Sequence, residues 1–166
     1  MNAYDCIIAR KSIRSYSSRP IAEEAIEKIL NAAIRAPSGK NGQPWRFKII
    51  RDRSIIAGIA GLSEKSKWLK NADCLILVWL DKNRSYHYLK DVLSCGAAIQ
   101  NMLLTANEMG IGSCWNGDLL EYSEPINAMF RLSDNLELMA IVSFGYSVSE
   151  MKSSSRRKLK EFIVEN

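Results

Sequence analysis

Apolar residues recur along the chain at two spacings, one typical of helices and the other of buried strands. Between residues 22 and 35 an acidic start is followed by apolar side chains on one helical face: Ile26, Ile29, Leu30, Ala33 and Ile34. Residues 73–80 read Asp-Cys-Leu-Ile-Leu-Val-Trp-Leu, a nearly continuous apolar run. Such a run is typical of a central strand that is covered on both faces.

Cap, turn and apolar signals extend these predictions over the rest of the chain. Further helices are predicted over 2–9 and 52–60, with Asn2 and Asp52 as N-caps, over 88–109, and over 123–132 with Ser123 as the cap. Further strands are predicted over 46–51, 112–115 and 136–144. Two helices followed by alternating strands and helices indicate an α+β or mixed α/β sandwich. Residues 159–164 are too apolar for a solvated tail, so they are expected to add to a sheet edge of this chain or of a partner.

Turn-forming residues are concentrated in Ala36–Phe47, between a predicted helix and a predicted strand. Pro37 and Pro44 fix φ, while Gly39 and Gly42 permit backbone conformations that are closed to other residues. Short polar side chains lie between them, and two aromatic rings follow: Ser38, Asn41, Gln43, Trp45 and Phe47. The stretch therefore predicts a rigid loop that holds polar groups against a flat ligand. The alternative is an ordinary turn between helix and strand.

The 166 residues, 47% apolar and 25% charged, have the composition of a soluble globular protein. No repeat or linker interrupts them, so residues 1–166 are expected to form a single domain. No apolar run reaches the ~18 residues of a membrane helix, and the first residues lack the pattern of a signal peptide. The four cysteines show no C-x-x-C spacing, which predicts reduced, buried thiols and a cytoplasmic protein.

Residue types that carry out catalysis by themselves are sparse. His87 is the only histidine, so neither a zinc site nor a histidine-dependent nucleophile is predicted. No phosphate-binding glycine motif is complete, because the Gly110-Ile111-Gly112-Ser113 stretch lacks the third glycine of G-x-G-x-x-G. This scarcity suggests that a bound cofactor supplies the reactivity.

The net charge of +5 comes largely from two basic clusters. The first contains Arg10, Lys11, Arg14 and Arg19, and the second contains Lys152, Arg156, Arg157, Lys158 and Lys160. A nucleic-acid binder is one interpretation, but no such motif and no interleaved aromatic residues accompany the clusters. Two clusters that converge on one small dianion fit the pattern better.

Four motifs occur along the chain in an order that identifies a family. The first combines Arg-Lys-Ser-Ile-Arg-Ser-Tyr at 10–16 with Ala-Pro-Ser at 36–38 and Asn-Gly-Gln-Pro-Trp-Arg-Phe at 41–47. The second is residues 95–104, the third is residues 110–115, and the fourth combines residues 141–146 with 156–159. Together they span nearly the whole chain and resemble the nitroreductase family of flavoproteins. The resemblance implies a small member with a nitroreductase-like α/β sandwich, in which helices flank a mixed, mostly antiparallel sheet and a C-terminal tail reaches the partner subunit. It also implies an FMN-dependent oxidoreductase that passes electrons from NAD(P)H through the flavin to a nitro compound, quinone or flavin.

The resemblance assigns cofactor-binding roles to individual residues and none to a metal. Arg10 and Ser12, with Lys11, would hold the FMN phosphate, Arg14 would reach the pyrimidine edge, and Arg156 or Arg157 would complete the phosphate site. Pro37, Ser38 and Gly39, with Asn41 nearby, would touch the flavin held mainly by the other subunit of a homodimer, and Trp115, Asn116 and Gly117 would meet the ring. The chemistry is expected to be carried by FMN, with no nucleic acid or membrane as partner.

Two departures from the family pattern limit what the resemblance implies. The stretch after Trp79 is short, so the residues that cover the substrate are not implied, and Ser147 stands where proline is common. Lys67 or Lys70 could lie near the flavin, although solvated lysines fit the pattern better. The alternative function is a flavin-binding or regulatory module without turnover.

Overall fold

The structure, a computed structural model, describes residues 2–148 and 155–164. The α-helices of these residues are α1 (Ala3–Ala9), α2 (Glu23–Ala33), α3 (Arg53–Ala60), α4 (Tyr88–Glu108) and α5 (Ser123–Met129). The strands are β1 (Trp45–Ile50), β2 (Cys74–Asp81), β3 (Gly112–Asn116) and β4 (Leu136–Gly145). The predicted order of elements is confirmed, as is the α+β architecture.

The four strands form one antiparallel sheet in the order β1-β2-β4-β3. The two long central strands pair with each other, so that Ile76 lies opposite Val142, and the outer strands β1 and β3 mark the two edges. A single bridge from Ser12 to Ser113 is parallel and lies outside the named strands. The sheet expected to be mixed is thus antiparallel between its strands, with this bridge as its parallel component.

Helices cover both faces of the sheet, which explains the continuous apolar run in β2. Ile76 and Val78 point into a core that α2 and α4 complete, whereas Leu75 and Leu77 point into a second core against α3 and α5. Every residue of β2 is buried. Because successive strand residues point to opposite faces, both faces of a doubly covered strand must be apolar.

The expected helix caps are only partly confirmed. The Oδ1 of Asn2 accepts the N–H of Asp5, and the Oδ1 of Asp52 accepts the N–H groups of Ser54 and Ile55. A serine cap was expected for the helix beginning at 123, but Ser123 is the first helical residue and makes no capping bond. The helix ends at Met129 rather than near residue 132.

Three of the 3-10 segments lie where the apolar pattern predicted no regular element or predicted a strand. They are Glu64–Asn71, Lys82–Arg84 and Leu159–Phe162. The third contradicts the expectation that residues 159–164 extend as a strand along an edge of this sheet. Residues 159–162 form a 3-10 turn instead, and Val164 beyond it is 93% exposed. Within the described residues, no helix is long and apolar enough to cross a membrane.

Candidate functional site

The basic segment, residues 10–16, lies along the outer strand β3. The N–H of Ile13 donates to the carbonyl oxygen of Ser113 at 2.9 Å, and Ser12 and Ser113 form the parallel bridge. The Tyr16 ring closes the segment against Gly145, where an added Cβ would lie 2.6 Å from a ring carbon. The buried Tyr16 hydroxyl donates to the carbonyl oxygen of Ile13 at 2.6 Å, and burial raises its pKa far above the usual value. The segment is therefore fixed at the edge by backbone pairing and a buried ring.

Three predicted phosphate- and ring-binding side chains converge at the middle of β3. The Cys114 thiol is buried, and burial raises its pKa. Positive charge from Arg14 and Arg10 and a hydrogen bond with Ser12 act against that rise. The Ser12 hydroxyl thus lies beside Cys114, and both guanidinium groups are close enough for their charge to act on its thiol. That concentration of cationic and hydroxyl donors suits a phosphate.

Trp68, from the 3-10 segment 64–71, packs against two side chains of the basic segment. The Arg14 guanidinium lies 5.8 Å from the Trp68 ring centroid, and the Tyr16 and Trp68 centroids are 6.4 Å apart. A guanidinium placed over an aromatic face is held in orientation as well as attracted. Sequence reasoning missed Trp68 because the segment that carries it is mostly polar and shows no regular spacing.

A polar network holds segment 64–71 against the end of β3. Asp118 accepts hydrogen bonds from the hydroxyls of Ser63 at 2.5 Å and Ser66 at 3.0 Å, and the Ser63 bond is the main cause that lowers the Asp118 pKa. Asn116 donates to the buried Ser66 hydroxyl at 3.0 Å and accepts from the N–H of Leu119 at 3.1 Å. The Asn116 side chain is therefore committed to the fold, so only its backbone is available to a ligand.

The 36–44 loop, the second predicted contact region, precedes β1 at the opposite edge. The Ser38 hydroxyl accepts the N–H of Gln43 at 3.1 Å, and the carbonyl oxygen of Asn41 accepts the Gln43 side-chain amide at 3.2 Å. Lys40, Asn41 and Gln43 have φ of 53°, 53° and 47°. Non-glycine residues pay of order 1 kcal/mol or more for such values, and strained backbone of this kind clusters at functional sites.

Gly39 and Gly42 permit backbone conformations that are closed to other residues, but neither glycine uses that freedom. Gly42 has φ of −68°, and neither glycine has a positive φ. Gly39 is instead required for space, because an added Cβ would lie 2.1 Å from the Tyr86 hydroxyl oxygen. The left-handed backbone falls instead on Lys40, Asn41 and Gln43, where side chains that bond to nearby backbone stabilise it.

Asp91 orients the turn that brings Tyr86 onto this loop. Its Oδ2 accepts the Ser85 hydroxyl at 2.8 Å and the N–H groups of Tyr86 and His87, both at 3.1 Å. The carboxylate is fully buried, and its Oδ1 has no hydrogen-bond partner in the described residues. The sequence signal for this arrangement is an aspartate in the first turn of a helix, preceded by a serine six residues earlier.

A cavity of about 320 Å³ lies between the 36–44 loop and α4. Its lining is Pro37, Ser38, Gly39, Lys90, Leu93, Ser94 and Ala97. The lining is mainly apolar with a few polar groups, which is the usual character of a small-molecule site. Three of the four loop residues predicted to touch a flavin therefore border one cavity, while Asn41 lies beside it in the same loop.

The two predicted contact regions do not meet within one chain. The basic segment pairs with β3, and the 36–44 loop leads into β1 at the opposite edge of the sheet. The two edge strands are three strand spacings of ~4.8 Å apart, or about 14 Å. Trp115 belongs to β3, is 41% exposed, and faces the middle of α4. Gly117 follows β3 and is exposed. An added Cβ on Gly96 would lie 3.9 Å from Trp115, an ordinary contact. Each chain thus presents two separate candidate binding regions.

The described part of the C-terminal tail does not close the first of these regions. Arg157 makes an ion pair with Glu161 at 3.9 Å, and its guanidinium lies 4.5 Å from the Phe162 ring centroid. Arg156 donates to the carbonyl oxygen of Ser155 at 3.0 Å. The roles expected for Arg156 and Arg157 at a phosphate stay predictions, and Lys11 likewise lies in the basic segment with its role untested.

The cysteines and lysines set aside in the sequence behave as expected. All four cysteines are free and buried, and burial raises the pKa of Cys74 and of Cys95 to about 12. Lys67 pairs with Glu64 at 2.6 Å on the surface. Among residues 2–148 and 155–164, no group of three or more histidine, cysteine or acidic side chains could hold a metal.

The site is chemically that of a protein that binds a phosphorylated, planar ligand. One half offers guanidinium and hydroxyl donors at a sheet edge, and the other offers a strained polar loop over a mainly apolar cavity. Neither half contains a nucleophile paired with a base. The fold and the site together define an α+β ligand-binding protein whose reactivity comes from the bound group.

Comparison with known proteins identifies the family: the profile of the nitroreductase family matches residues 7–66 and 63–146, and the chain belongs to that family. A candidate NADH dehydrogenase/NAD(P)H nitroreductase of Archaeoglobus fulgidus is 40% identical over 147 residues, which are 87% of this chain and 84% of that protein. The family predicted from the motifs is confirmed.

Solved structures show the same fold over the whole chain. A candidate nitroreductase of Desulfovibrio desulfuricans in complex with FMN has a TM-score of 0.94 and 35% identity, covering 100% of this chain and 98% of that one. An FMN-dependent nitroreductase of Clostridium difficile has a TM-score of 0.84 and 28% identity, covering 97% and 96%. The sandwich predicted for the chain is thus the nitroreductase fold.

Proposed function

We propose that the protein is an FMN-dependent oxidoreductase that passes electrons from NAD(P)H to a small acceptor, and that residues 1–166 form one FMN-binding domain. The observation that carries the proposal is the convergence of Arg10, Ser12 and Arg14 at Cys114, on a chain whose relatives include an FMN complex. When bound, FMN supplies the redox chemistry. The chain supplies binding, orientation and electrostatics.

The basic segment is the phosphate half of the site. Arg10 and Ser12, supported by Lys11, bind the phosphate through charge-assisted hydrogen bonds. Arg14, held over Trp68, would place its guanidinium at the pyrimidine edge and supply positive charge there. Arg156 or Arg157 adds a further cation from the tail. The donor set fits FMN because it is cationic, concentrated and fixed by the Ser12–Ser113 bridge.

The 36–44 loop is the ring half of the site. Pro37, Ser38 and Gly39 border a mainly apolar cavity of a size that suits a planar ring system. Asn41, at φ 53°, is held beside them by the hydrogen bond between its carbonyl oxygen and Gln43. The backbone of Trp115, Asn116 and Gly117 approaches the same ring from β3.

Each complete site is assembled from two subunits of a homodimer. The separation of the half-sites at opposite sheet edges supports this arrangement, because one chain does not bring them together. Two exposed apolar groups support it as well: Tyr4, Ile7 and Ile8 of α1 and, separately, Leu89 and Leu93 near the start of α4 are all more than half exposed. A surface of this kind marks an interaction site. The tail from Leu159, itself 75% exposed, reaches the partner.

The visible spectrum of the purified protein tests cofactor binding, and steady-state kinetics test turnover. We expect a yellow protein with one FMN per chain that oxidises NADH or NADPH when menadione or a nitroaromatic compound is supplied. Flavin binding without turnover over a broad acceptor panel would favour the regulatory module instead. A colourless protein that takes up no added FMN would refute the proposal.

A further inference from the structure

Two lysines flank one tyrosine ring at the mouth of the cavity beside α4. The Nζ of Lys40 lies 4.9 Å from the Tyr86 ring centroid, and the Nζ of Lys90 lies 5.7 Å from the same centroid. Lys90 also lines the cavity, and the Tyr86 hydroxyl lies against Gly39, another lining residue. We name Lys40, Tyr86 and Lys90 the lysine rim.

The positive charge of the lysine rim is not neutralised by an ion pair within the described residues. Neither lysine has a salt bridge to an acidic side chain there. Asp91, the neighbour of Lys90, is buried and directs its Oδ2 to the turn at 85–87. Two like charges near one ring repel each other, so an anion that enters between them gains from both.

The fold holds the lysine rim in place from two sides. Lys40 belongs to the hydrogen-bonded left-handed turn of the 36–44 loop, with φ of 53°. Lys90 belongs to the first turn of α4, and Asp91 fixes the turn that carries Tyr86. The ring therefore lies between a strained loop and a helix start. Groups held in this way lose less freedom when a ligand binds.

We propose that the lysine rim binds an anionic substituent of the planar donor or acceptor that approaches the flavin on the rim side of the cavity, and so sets which substrates the enzyme prefers. The inference rests on the proposed function, because it concerns the substrates of that site. The anion is the 2′-phosphate that distinguishes NADPH from NADH, or a carboxylate of the acceptor. Both are recognised by the same chemistry, two ammonium groups beside an aromatic ring.

Equilibrium binding is the first test, with benzoate and benzamide as probes of equal shape and different charge. Calorimetry on the FMN-loaded protein should show tighter binding of benzoate, by about fivefold or more, since one partly exposed charge pair contributes roughly 1 kcal/mol. Lys40→Met and Lys90→Met should each lower the benzoate-to-benzamide ratio, and added salt should do the same in the wild type.

Lys48→Met is the matched control. Lys48 is also exposed and lies 4.9 Å from an aromatic centroid, that of Phe130, but it belongs to β1 and lines no part of the cavity. Its removal should leave the ratio of the two affinities as in the wild type. An equal loss of both probes in the rim variants, or no loss of either, would overturn the proposal. Lys90 is exposed on α4, so Lys90→Met still reports the ratio of the two affinities if Lys40→Met disturbs the loop.

Kinetics with paired substrates then separate the two sources of the anion. A fall in the NADPH-to-NADH ratio of kcat/KM assigns the rim to a donor phosphate, and a fall in the ratio of 4-nitrobenzoate to 4-nitrobenzyl alcohol assigns it to an acceptor carboxylate. Unchanged ratios for both pairs would overturn the rim as a determinant of substrate preference. Failure of the proposed function would appear separately, as absent flavin or no turnover even with the uncharged acceptor. The calorimetric test does not depend on turnover.

Discussion

The basic segment and the 36–44 loop are two halves of one proposed site, yet the fold holds them by different means. The basic segment depends on the rest of the protein, through its bridge to Ser113, the packing of Tyr16 on Gly145 and the support of Trp68. The loop is held mostly by its own atoms, with Gln43 bonded to Ser38 and Asn41. The phosphate half therefore needs an intact sheet edge, whereas the ring half is shaped locally.

Arg10→Ala should have the largest effect on cofactor binding. Removing a charge-assisted hydrogen bond to a dianion should weaken FMN binding by roughly tenfold to a hundredfold, while leaving the fold intact. Fluorescence titration of the apoprotein with FMN measures the change. Arg19→Ala is the control, because Arg19 belongs to the same basic cluster but stacks 3.9 Å from the Tyr146 ring centroid. Unchanged FMN affinity in Arg10→Ala would place the phosphate elsewhere.

Combining two defective chains tests whether the halves come from different subunits. Gly39→Val should impair the ring half, since the added Cβ alone would lie 2.1 Å from the Tyr86 hydroxyl oxygen. A purified heterodimer of an Arg10→Ala chain and a Gly39→Val chain should have one intact site in two, and so about one tightly bound FMN per dimer. Each variant homodimer should have no site of wild-type affinity. A heterodimer no better than its parents would show that each chain builds its own site.

Asp118→Asn tests the support of the basic segment through segment 64–71. The hydrogen bond from Ser63 lowers the Asp118 pKa, so the charged form contributes stability above the unfolded pKa, and this is lost as pH falls through the lowered folded pKa. Wild type should therefore resist urea better than the variant at pH 7, and the difference should vanish once the pH is below the lowered folded pKa. A difference that persists at that pH would assign the effect to packing.

Gly96→Ala should have the smallest effect, and it examines the helix between the two halves. The added Cβ would make an ordinary contact with Trp115 at 3.9 Å, and alanine favours a helix interior by up to about 1 kcal/mol over glycine. Urea unfolding should thus show equal or slightly higher stability. A clear loss of stability that grows with protein concentration would show that a second chain packs against this glycine.

The sequence predicted what depends on local signals and missed what depends on distant contacts. Asn2 and Asp52 cap the helices that follow them directly in the sequence, so the two caps were predicted correctly. The continuous apolar run of β2 likewise indicated a strand buried on both faces. Segment 64–71 was missed because Trp68 and Leu69 are flanked by polar residues, and its position depends on a network centred on Asp118.

The same reason explains the errors at the site. Tyr86 lies on Gly39, 47 positions away in a different turn, and no spacing rule connects them. The left-handed residues of the 36–44 loop are not its glycines, because hydrogen bonds with Ser38 and Asn41 favour that conformation in polar neighbours. The tail was expected at a sheet edge on composition alone, and within this chain it forms no strand, since apolar composition does not specify one.

The bridge between Ser12 and Ser113 has a consequence for how the protein folds. Forming it closes a loop of about a hundred residues, at an entropic cost that shorter loops do not carry. The hairpin-like pairing of β1 with β2 and the growth of α4 need only nearby residues, so we expect them to form earlier. Cofactor capture should then be a late event in refolding. Stopped-flow experiments should show that flavin fluorescence is quenched after most of the circular dichroism signal has returned, and simultaneous phases would contradict this order.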